Sequence, residues 1–253
     1  MLRSRIVPCL LVHNKGLVKT TQFKNAKYVG DPINAVKIFN EKEVDELIVL
    51  DIDATSDSRA PNIEMIKNLA DECRMPLCYG GGITTVEQAK KIISLGVEKV
   101  AISSAALSDI ELCREIGTVI GNQSVVVVID VKKKKLFRDY DIYTHNGTKK
   151  SKWKLSNFIG KLDEIGIGEI VINSIDNDGT MKGYDVDLIE SIRKKCSVPI
   201  TVLGGAGSLD DIKKIIAKFK IIGVAAGSLF VFKGKFRAVL INYPNRQERK
   251  SLY

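Results

Sequence analysis

The sequence is poor in aromatic residues: phenylalanine, tyrosine and tryptophan make up 6% of 253 residues, with one tryptophan. No recognised nucleic-acid-binding motif is present, and together these absences argue against a nucleic-acid partner. The five cysteines (Cys9, Cys73, Cys78, Cys113, Cys196) are odd in number and form no CxxC pair. Such usage suits core packing in a reducing compartment and argues against a disulfide frame or a zinc site. No metal and no cofactor is expected. No uninterrupted apolar run is long enough to span a bilayer. The stretch from Met1 to Val12 superficially resembles a leader, but it is short, contains Pro8 and lacks a small-residue cleavage site, so it reads as a buried first strand. The expectation is a soluble, cytoplasmic protein with no membrane contact. Also missing is GxGxxG after the first strand, which argues against a doubly wound dinucleotide-binding sheet.

Basic residues are in surplus. Lys and Arg number 39 against 30 Asp and Glu, a formal charge of +9. That surplus suits either a solvated surface or a basic face for an anionic substrate or acidic partner.

Short apolar runs alternate with amphipathic stretches along the whole chain. The strands expected are Ile6–Val12, Glu46–Asp51, Pro76–Tyr79, Lys99–Ile102, Ser124–Asp130, Glu169–Asn173, Pro199–Val202 and Ile222–Ala225. Helical periodicity marks Asn62–Cys73, Thr85–Leu95, Leu155–Ile165, Leu188–Lys195 and Leu209–Lys218. Eight β-α units in this length predict an α/β fold of the (β/α)8 TIM-barrel type, one domain over residues 1–253, because closure removes both sheet edges.

An internal repeat supports two duplicated half-barrels. Pro-Leu-Cys-Tyr-Gly-Gly-Gly from Pro76 aligns with Pro-Ile-Thr-Val-Leu-Gly-Gly from Pro199, an offset of 199 − 76 = 123. At the same offset Lys90-Lys91-Ile92-Ile93 falls on Lys213-Lys214-Ile215-Ile216, Glu46 on Glu169, and Asp53 on Asp176.

Working residues of such barrels follow the strands on the C-terminal face. Gly81 and Gly82 follow strand three, Ser103 and Ser104 strand four, Gly204 and Gly205 strand seven, and Gly227 and Ser228 strand eight. Each glycine reads singly as a tight turn. Two sets paired with hydroxyls, repeated by duplication, predict two phosphate sites facing each other, through open backbone N–H groups and helix N-termini. Strand-end carboxylates Asp51, Asp53, Asp130, Asp176 and Asp178 are candidates for acid-base work. Asp130 directly ends the run Val125–Ile129 and is the foremost of them; Asp178, in Asn-Asp-Gly-Thr, reads as a turn residue. At the opposite face Arg5, Glu46, Lys99 and Glu169 lie at strand starts and predict a charged ring, either a stabilising salt-bridge network or a gate into the lumen.

These residues together resemble the cyclase subunit of imidazole glycerol phosphate synthase over essentially the whole chain. The matching motifs are Gly-Asp-Pro at 30–32, Asp-Glu-Leu-Ile-Val-Leu-Asp-Ile at 45–52, Gly-Gly-Gly-Ile at 80–83, Ser-Ile-Asp-Asn-Asp-Gly-Thr at 174–180 and Gly-Gly-Ala-Gly at 204–207. The resemblance implies a barrel that docks a glutaminase of the class I amidotransferase type on its N-terminal face and passes ammonia through its centre. It makes Arg5, Glu46, Lys99 and Glu169 the channel gate, Glu98 a glutaminase-interface residue and Lys19 a substrate-contacting lysine of the loop after strand one. Asp51, Asp176 and the glycine and serine pairs then bind substrate and its phosphates.

The family's cyclase uses two aspartates, one ending strand one and one ending strand five. The second stands here as Asp130, but the first position is Leu11, and loss of a positioned acid or base costs about 10²–10⁴ in rate. Ser103-Ser104 replaces the more usual Asn-Thr pair. With Leu11 and the stretch Leu229–Lys235, the sequence is similar to paralogues encoded with surface-polysaccharide genes. That similarity implies an ammonia-conducting barrel whose product feeds an ATP-using amidotransferase that forms an acetamidino sugar. The basic segments Lys132–Lys135 and Lys149–Lys154 are then candidates to dock that protein or a nucleotide-linked sugar, against a solvated hairpin. A genuine histidine-pathway cyclase that tolerates Leu11, and a non-catalytic barrel that binds a phosphorylated ligand, are the alternatives.

Overall fold

The computed structural model describes residues 3–134 and 139–253. Eight strands form a closed parallel barrel: β1 (Arg5–His13), β2 (Leu47–Asp51), β3 (Leu77–Gly80), β4 (Lys99–Ile102), β5 (Val125–Lys133), β6 (Glu169–Ser174), β7 (Ile200–Leu203) and β8 (Gly223–Ala226). Each pairs with the next, and β8 returns to β1 with Arg5 opposite Gly223 and Val7 opposite Ala225. This (β/α)8 closure excludes the open doubly wound sheet.

The five expected helices form as α2 (Ile63–Glu72), α3 (Val86–Ile93), α5 (Leu155–Ile165), α6 (Val186–Arg193) and α7 (Leu209–Phe219). Capping fixes their starts. Thr85 with Gln88 and Ser208 with Asp211 make reciprocal capping boxes. Helix α6 begins two residues before the expected Leu188, because Asp185 caps it by accepting from the Leu188 N–H at 3.0 Å. Two further helices, α1 (Pro32–Glu41) and α4 (Glu111–Ile120), join them in the outer layer. The Asp31 side chain caps α1 and Pro32 opens its first turn, which accounts for Gly-Asp-Pro at 30–32.

The strands separate two cores. Residues such as Ile6, Leu10, Leu47, Tyr79, Val127 and Ile172 face the helices. The alternate set, Val7, Cys9, Ile48, Cys78, Ala101, Val126, Val128, Val171, Leu203 and Ala225, comes from all eight strands and fills the lumen, with Leu11 and Leu50 packed on it. Along β1 the inward stripe runs Arg5, Val7, Cys9, Leu11, His13.

Two hairpins rise from the C-terminal face. The first joins Gly16–Thr21 to Lys24–Gly30, and the second joins Tyr140–Thr144 to Lys149–Lys154, continuing the antiparallel extension of β5. Of the expected basic segments, Lys132, Lys133 and Lys149–Lys154 therefore lie in paired strands. Lys134 and Lys150 pair with Asp141, at 3.5 and 2.7 Å. Trp153 is turned inward, donating to the Leu107 carbonyl at 3.0 Å and packing on Phe158. Lys135, together with Met1 and Leu2 of the N-terminal stretch, lies outside the described residues. None of the described helices is long and apolar enough to cross a membrane.

Candidate active site and basal ring

At the N-terminal face the four expected charges converge. Lys99 Nζ donates to Glu46 Oε1 at 2.7 Å and Glu169 Oε2 at 2.8 Å, and Arg5 Nη2 donates to Glu169 Oε1 at 2.8 Å. Arg5 Nη1 closes the ring on Glu46, and Thr201 Oγ1 donates to Glu169. The ring is neutral, two cations against two carboxylates, with Glu46 and Glu169 both buried. Burial opposes charge on Arg5 and Lys99, but the carboxylates outweigh it and raise both pKa values. Desolvation also acts on the acids. At Glu169 it is outweighed by Arg5 and Lys99, which hold the pKa below the usual value; at Glu46 desolvation and the Glu169 charge leave it raised. Glu98 lies beside this face at the foot of β4, its Oε2 accepting from the Leu77 N–H at 2.7 Å.

The C-terminal face carries a cavity of about 610 Å³, lined by all eight strand ends and both hairpins. Lys19, Asp51, Gly81, Gly82, Ser103, Ser104, Asp130, Gly204, Gly205, Gly227 and Ser228 line it. The glycine turns are sterically obligatory: a Cβ on Gly82 (φ +72°) would lie 2.4 Å from the Arg59 carbonyl, and one on Gly205 (φ +110°) 2.1 Å from that of Gly183. Behind them the short helices Ser104–Ser108 and Ser228–Val231 start without side-chain caps, leaving first-turn N–H groups unsatisfied by any side chain.

Asp130 keeps a partly open edge on the cavity. Desolvation pushes its pKa up to about 7, opposed by the Asn173 hydrogen bond and helped by Asp178. Asp51 is spent on the loop after β2, accepting from the Asp53 and Ala54 N–H groups at 3.0 and 3.2 Å; burial raises its pKa. Lys19 lies in the first hairpin's strand, not in an open loop. It is buried with Nζ on the Cys9 carbonyl and against Gly227, and desolvation lowers its pKa.

Asp176 is not among the residues that line this cavity. Its carboxylate turns out of the cavity and accepts from the Lys133 N–H at 2.8 Å. Asp178, read from sequence as a turn residue, does lie in the turn 175–180, and it also lines the cavity, accepting from Thr20 Oγ1 at 2.8 Å, with burial raising its pKa. Gly179 follows it at φ +65°, where a Cβ would lie 2.0 Å from the Thr20 carbonyl, so the turn is clamped beneath the first hairpin.

Sequence reasoning also passed over His13 and His145, which both line the cavity. His13 Nδ1 lies 2.6 Å from Asp53 Oδ1, and Asp53 Oδ2 accepts from the Asn14 N–H at 2.7 Å. The signal was the alternation of β1, which turns His13 the same way as Leu11. His145 and Asn146 arrive on the second hairpin. Asn146 Nδ2 donates across the mouth to the Ile52 carbonyl at 2.9 Å, a contact no local pattern encodes.

Comparison with known proteins agrees with this architecture. Residues 5–237 match the family model described as histidine biosynthesis protein. A protein of Leptospira borgpetersenii, provisionally named imidazole glycerol phosphate synthase subunit HisF, is 55% identical over 253 residues, the full length of both chains. A provisionally named subunit hisF3 of Vibrio vulnificus is 55% identical over 250 residues, 99% of this chain and 96% of that one. The imidazole glycerol phosphate synthase subunit HisF of Streptococcus mutans is 36% identical over 230 residues, 91% of each chain.

Proposed function

Because the chain belongs to the HisF family, the cyclase subunits of imidazole glycerol phosphate synthase, we propose that it is the ammonia-conducting barrel of a glutamine amidotransferase complex serving acetamidino-sugar formation. The observation that carries this reading is the contrast between the two ends of the lumen. The ring of Arg5, Glu46, Lys99 and Glu169 is complete, and small or medium apolar residues such as Cys9, Cys78, Ala101 and Ala225 line the way above it. At the top, Leu11 packs on that apolar cluster where the family's strand-one aspartate would stand.

In this reading a glutaminase sits on the basal face around the ring and Glu98. Ammonia, neutral and small, crosses a lumen that would penalise ammonium, since a charge cannot be desolvated cheaply. The mouth holds an anionic, phosphorylated or nucleotide-linked molecule between the two glycine-serine turns, with Lys19 and Asp178 above the lumen. A third, ATP-using protein on the C-terminal face forms the amidine, and the whole operates in the cytoplasm as one domain over residues 1–253.

A second reading is supported by Asp130, whose pKa near 7 suits proton transfer at neutral pH: a genuine histidine-pathway cyclase that works without the strand-one acid. Ammonia-dependent conversion of the family's phosphoribulosyl aminoimidazole substrate separates the two. Under the conduit reading wild type is inert, Leu11→Asp gains slight activity, and the chain still stimulates and channels from a glutaminase. Turnover by wild type at ordinary enzymatic rates would overturn it in favour of the cyclase.

A further inference from the structure

The two glycine-serine turns differ in the charge behind them. At the Gly81–Ser104 end the nearby cation is Arg59, whose Nε lies 3.1 Å from Asp57 and whose Nη2 lies 3.7 Å from Asp51. That charge is already compensated. At the Gly204–Ser228 end a second arginine approaches from outside the barrel. The chain after β8 folds into a small hairpin, Phe232–Lys233 against Ala238–Val239, with Gly234 at its turn and Arg237 at φ +51°. Arg237 Nη2 reaches Ser228 Oγ at 3.4 Å and the Gly179 carbonyl at 3.3 Å, both cavity-lining residues.

Its surroundings fix it there. The Arg237 guanidinium lies 4.7 Å from the centre of the Phe232 ring, and Lys27 Nζ holds the Arg237 carbonyl at 3.2 Å from the first hairpin. The Arg237 N–H donates to the Gly234 carbonyl at 3.0 Å. Yet no carboxylate among the described residues pairs with this guanidinium, and its Nε is buried without a partner, an arrangement that proteins rarely tolerate without use. Lys19 Nζ stands on the other side, against Gly227.

We propose that Arg237 makes the Gly204–Ser228 turn the stronger of two anion sites, so that this end takes the phosphate or diphosphate of the ligand. Arg237 donates to Ser228 Oγ, which leaves the hydroxyl hydrogen free to point into the cavity toward an anion. The guanidinium, with no carboxylate partner among the described residues, adds a positive charge directly behind that hydroxyl. The opposite end, with Arg59 neutralised by Asp51 and Asp57, is left to a weakly charged or hydroxylated group. This rests on the anion-binding part of the function proposed above.

The test is a titration of the full-length, ¹⁵N-labelled chain with inorganic phosphate, followed by amide NMR. The Gly227 and Ser228 amides report one end, and the Gly82 and Ser104 amides the other. In wild type the Gly227 and Ser228 amides saturate first. Arg237→Gln shifts their midpoint about tenfold to higher phosphate and leaves the other pair unchanged, while Arg237→Lys, which keeps the charge, recovers part of the loss. An unchanged midpoint at Ser228 in a well-dispersed Arg237→Gln spectrum overturns the role of Arg237 alone. Should Arg237→Gln unfold, Arg237→Lys decides: equal midpoints at the two ends in that folded variant or in wild type overturn it. If phosphate moves neither pair in wild type, the anion-site reading falls as well.

Discussion

Asn173 donates from Nδ2 to Asp130 Oδ1 at 2.9 Å, between residues that the β5–β6 register sets side by side. Asn173 Oδ1 is itself buried with no donor, so the carboxylate has a single side-chain donor against a strong desolvation penalty. The sign of the linkage follows. A carboxyl whose folded pKa stands at about 7, against about 3.9 unfolded, destabilises the fold when ionised. The burden is full above pH 7 and is relieved as pH falls from 7 toward 4. Asp130→Asn should therefore be more stable than wild type at pH 8 by about 1–3 kcal/mol, with the gain vanishing by pH 4. Urea unfolding at both pH values measures this.

Removing one cation from the basal ring should be costly. Lys99→Ala leaves Glu46 and Glu169 facing each other with Arg5 alone between them. Breaking a buried pair on one side costs about 3–5 kcal/mol; Lys99 is itself partly exposed, so about 1–3 kcal/mol is expected. Replacing the whole ring by apolar residues should cost less than the single change, and a comparison of chemical unfolding midpoints checks the order.

The different settings of Asp176 and Asp178 give a paired expectation. Asp178→Asn should alter ligand affinity and the seating of the first hairpin, which hangs on Asp178 through Thr20 Oγ1 and the Phe23 N–H. Asp176→Asn should leave ligand affinity within about twofold and cost less than about 1 kcal/mol, as an outer backbone contact does. Binding isotherms and melting curves for the two variants distinguish them.

Gly205→Ala should be among the most damaging single substitutions at the mouth. The residue combines φ +110° with a Gly183 carbonyl 2.1 Å from any added Cβ. Neither can relax without moving the turn, and a loss of about 2 kcal/mol or more is expected, read as a drop in melting temperature. Gly160→Ala, with open space around it and a helical backbone, should raise stability by up to about 1 kcal/mol.

The barrel itself was legible because each strand is a short, mostly apolar run and five of the helices carry a clear period; Lys99–Ile102 and Leu155–Ile165 fall where periodicity puts them. The ring was legible because its four charges stand at strand starts, positions a sequence pass can count. The first hairpin was not. Gly16–Gly30 mixes lysines and small polar residues without alternation, and its shape comes from tertiary pairing with Asp178. Arg237 was equally hidden, since what brings it to Ser228 is the turn at Gly234 and the Phe232 ring. Asp176 and Asp178 differ for a reason no pattern encodes: the turn that holds them sets Asp178 against the cavity and Asp176 on the Lys133 N–H.

The pairing of β1 with β8 has a kinetic consequence. Arg5 and Gly223 lie at opposite ends of the chain, yet they are neighbours in the finished sheet. On the ribosome, β1 must wait with one edge unpaired until residues 223–226 have emerged. Contacts of such long sequence separation are slow to form, and an edge left open is where another chain can add. The duplicated halves sharpen that hazard, because a nascent first half meets, in any second copy of itself, a surface shaped much like the one it is waiting for. Newly made chains at high local concentration should thus face a choice between closing alone and exchanging halves, decided by how soon residues 223–226 arrive.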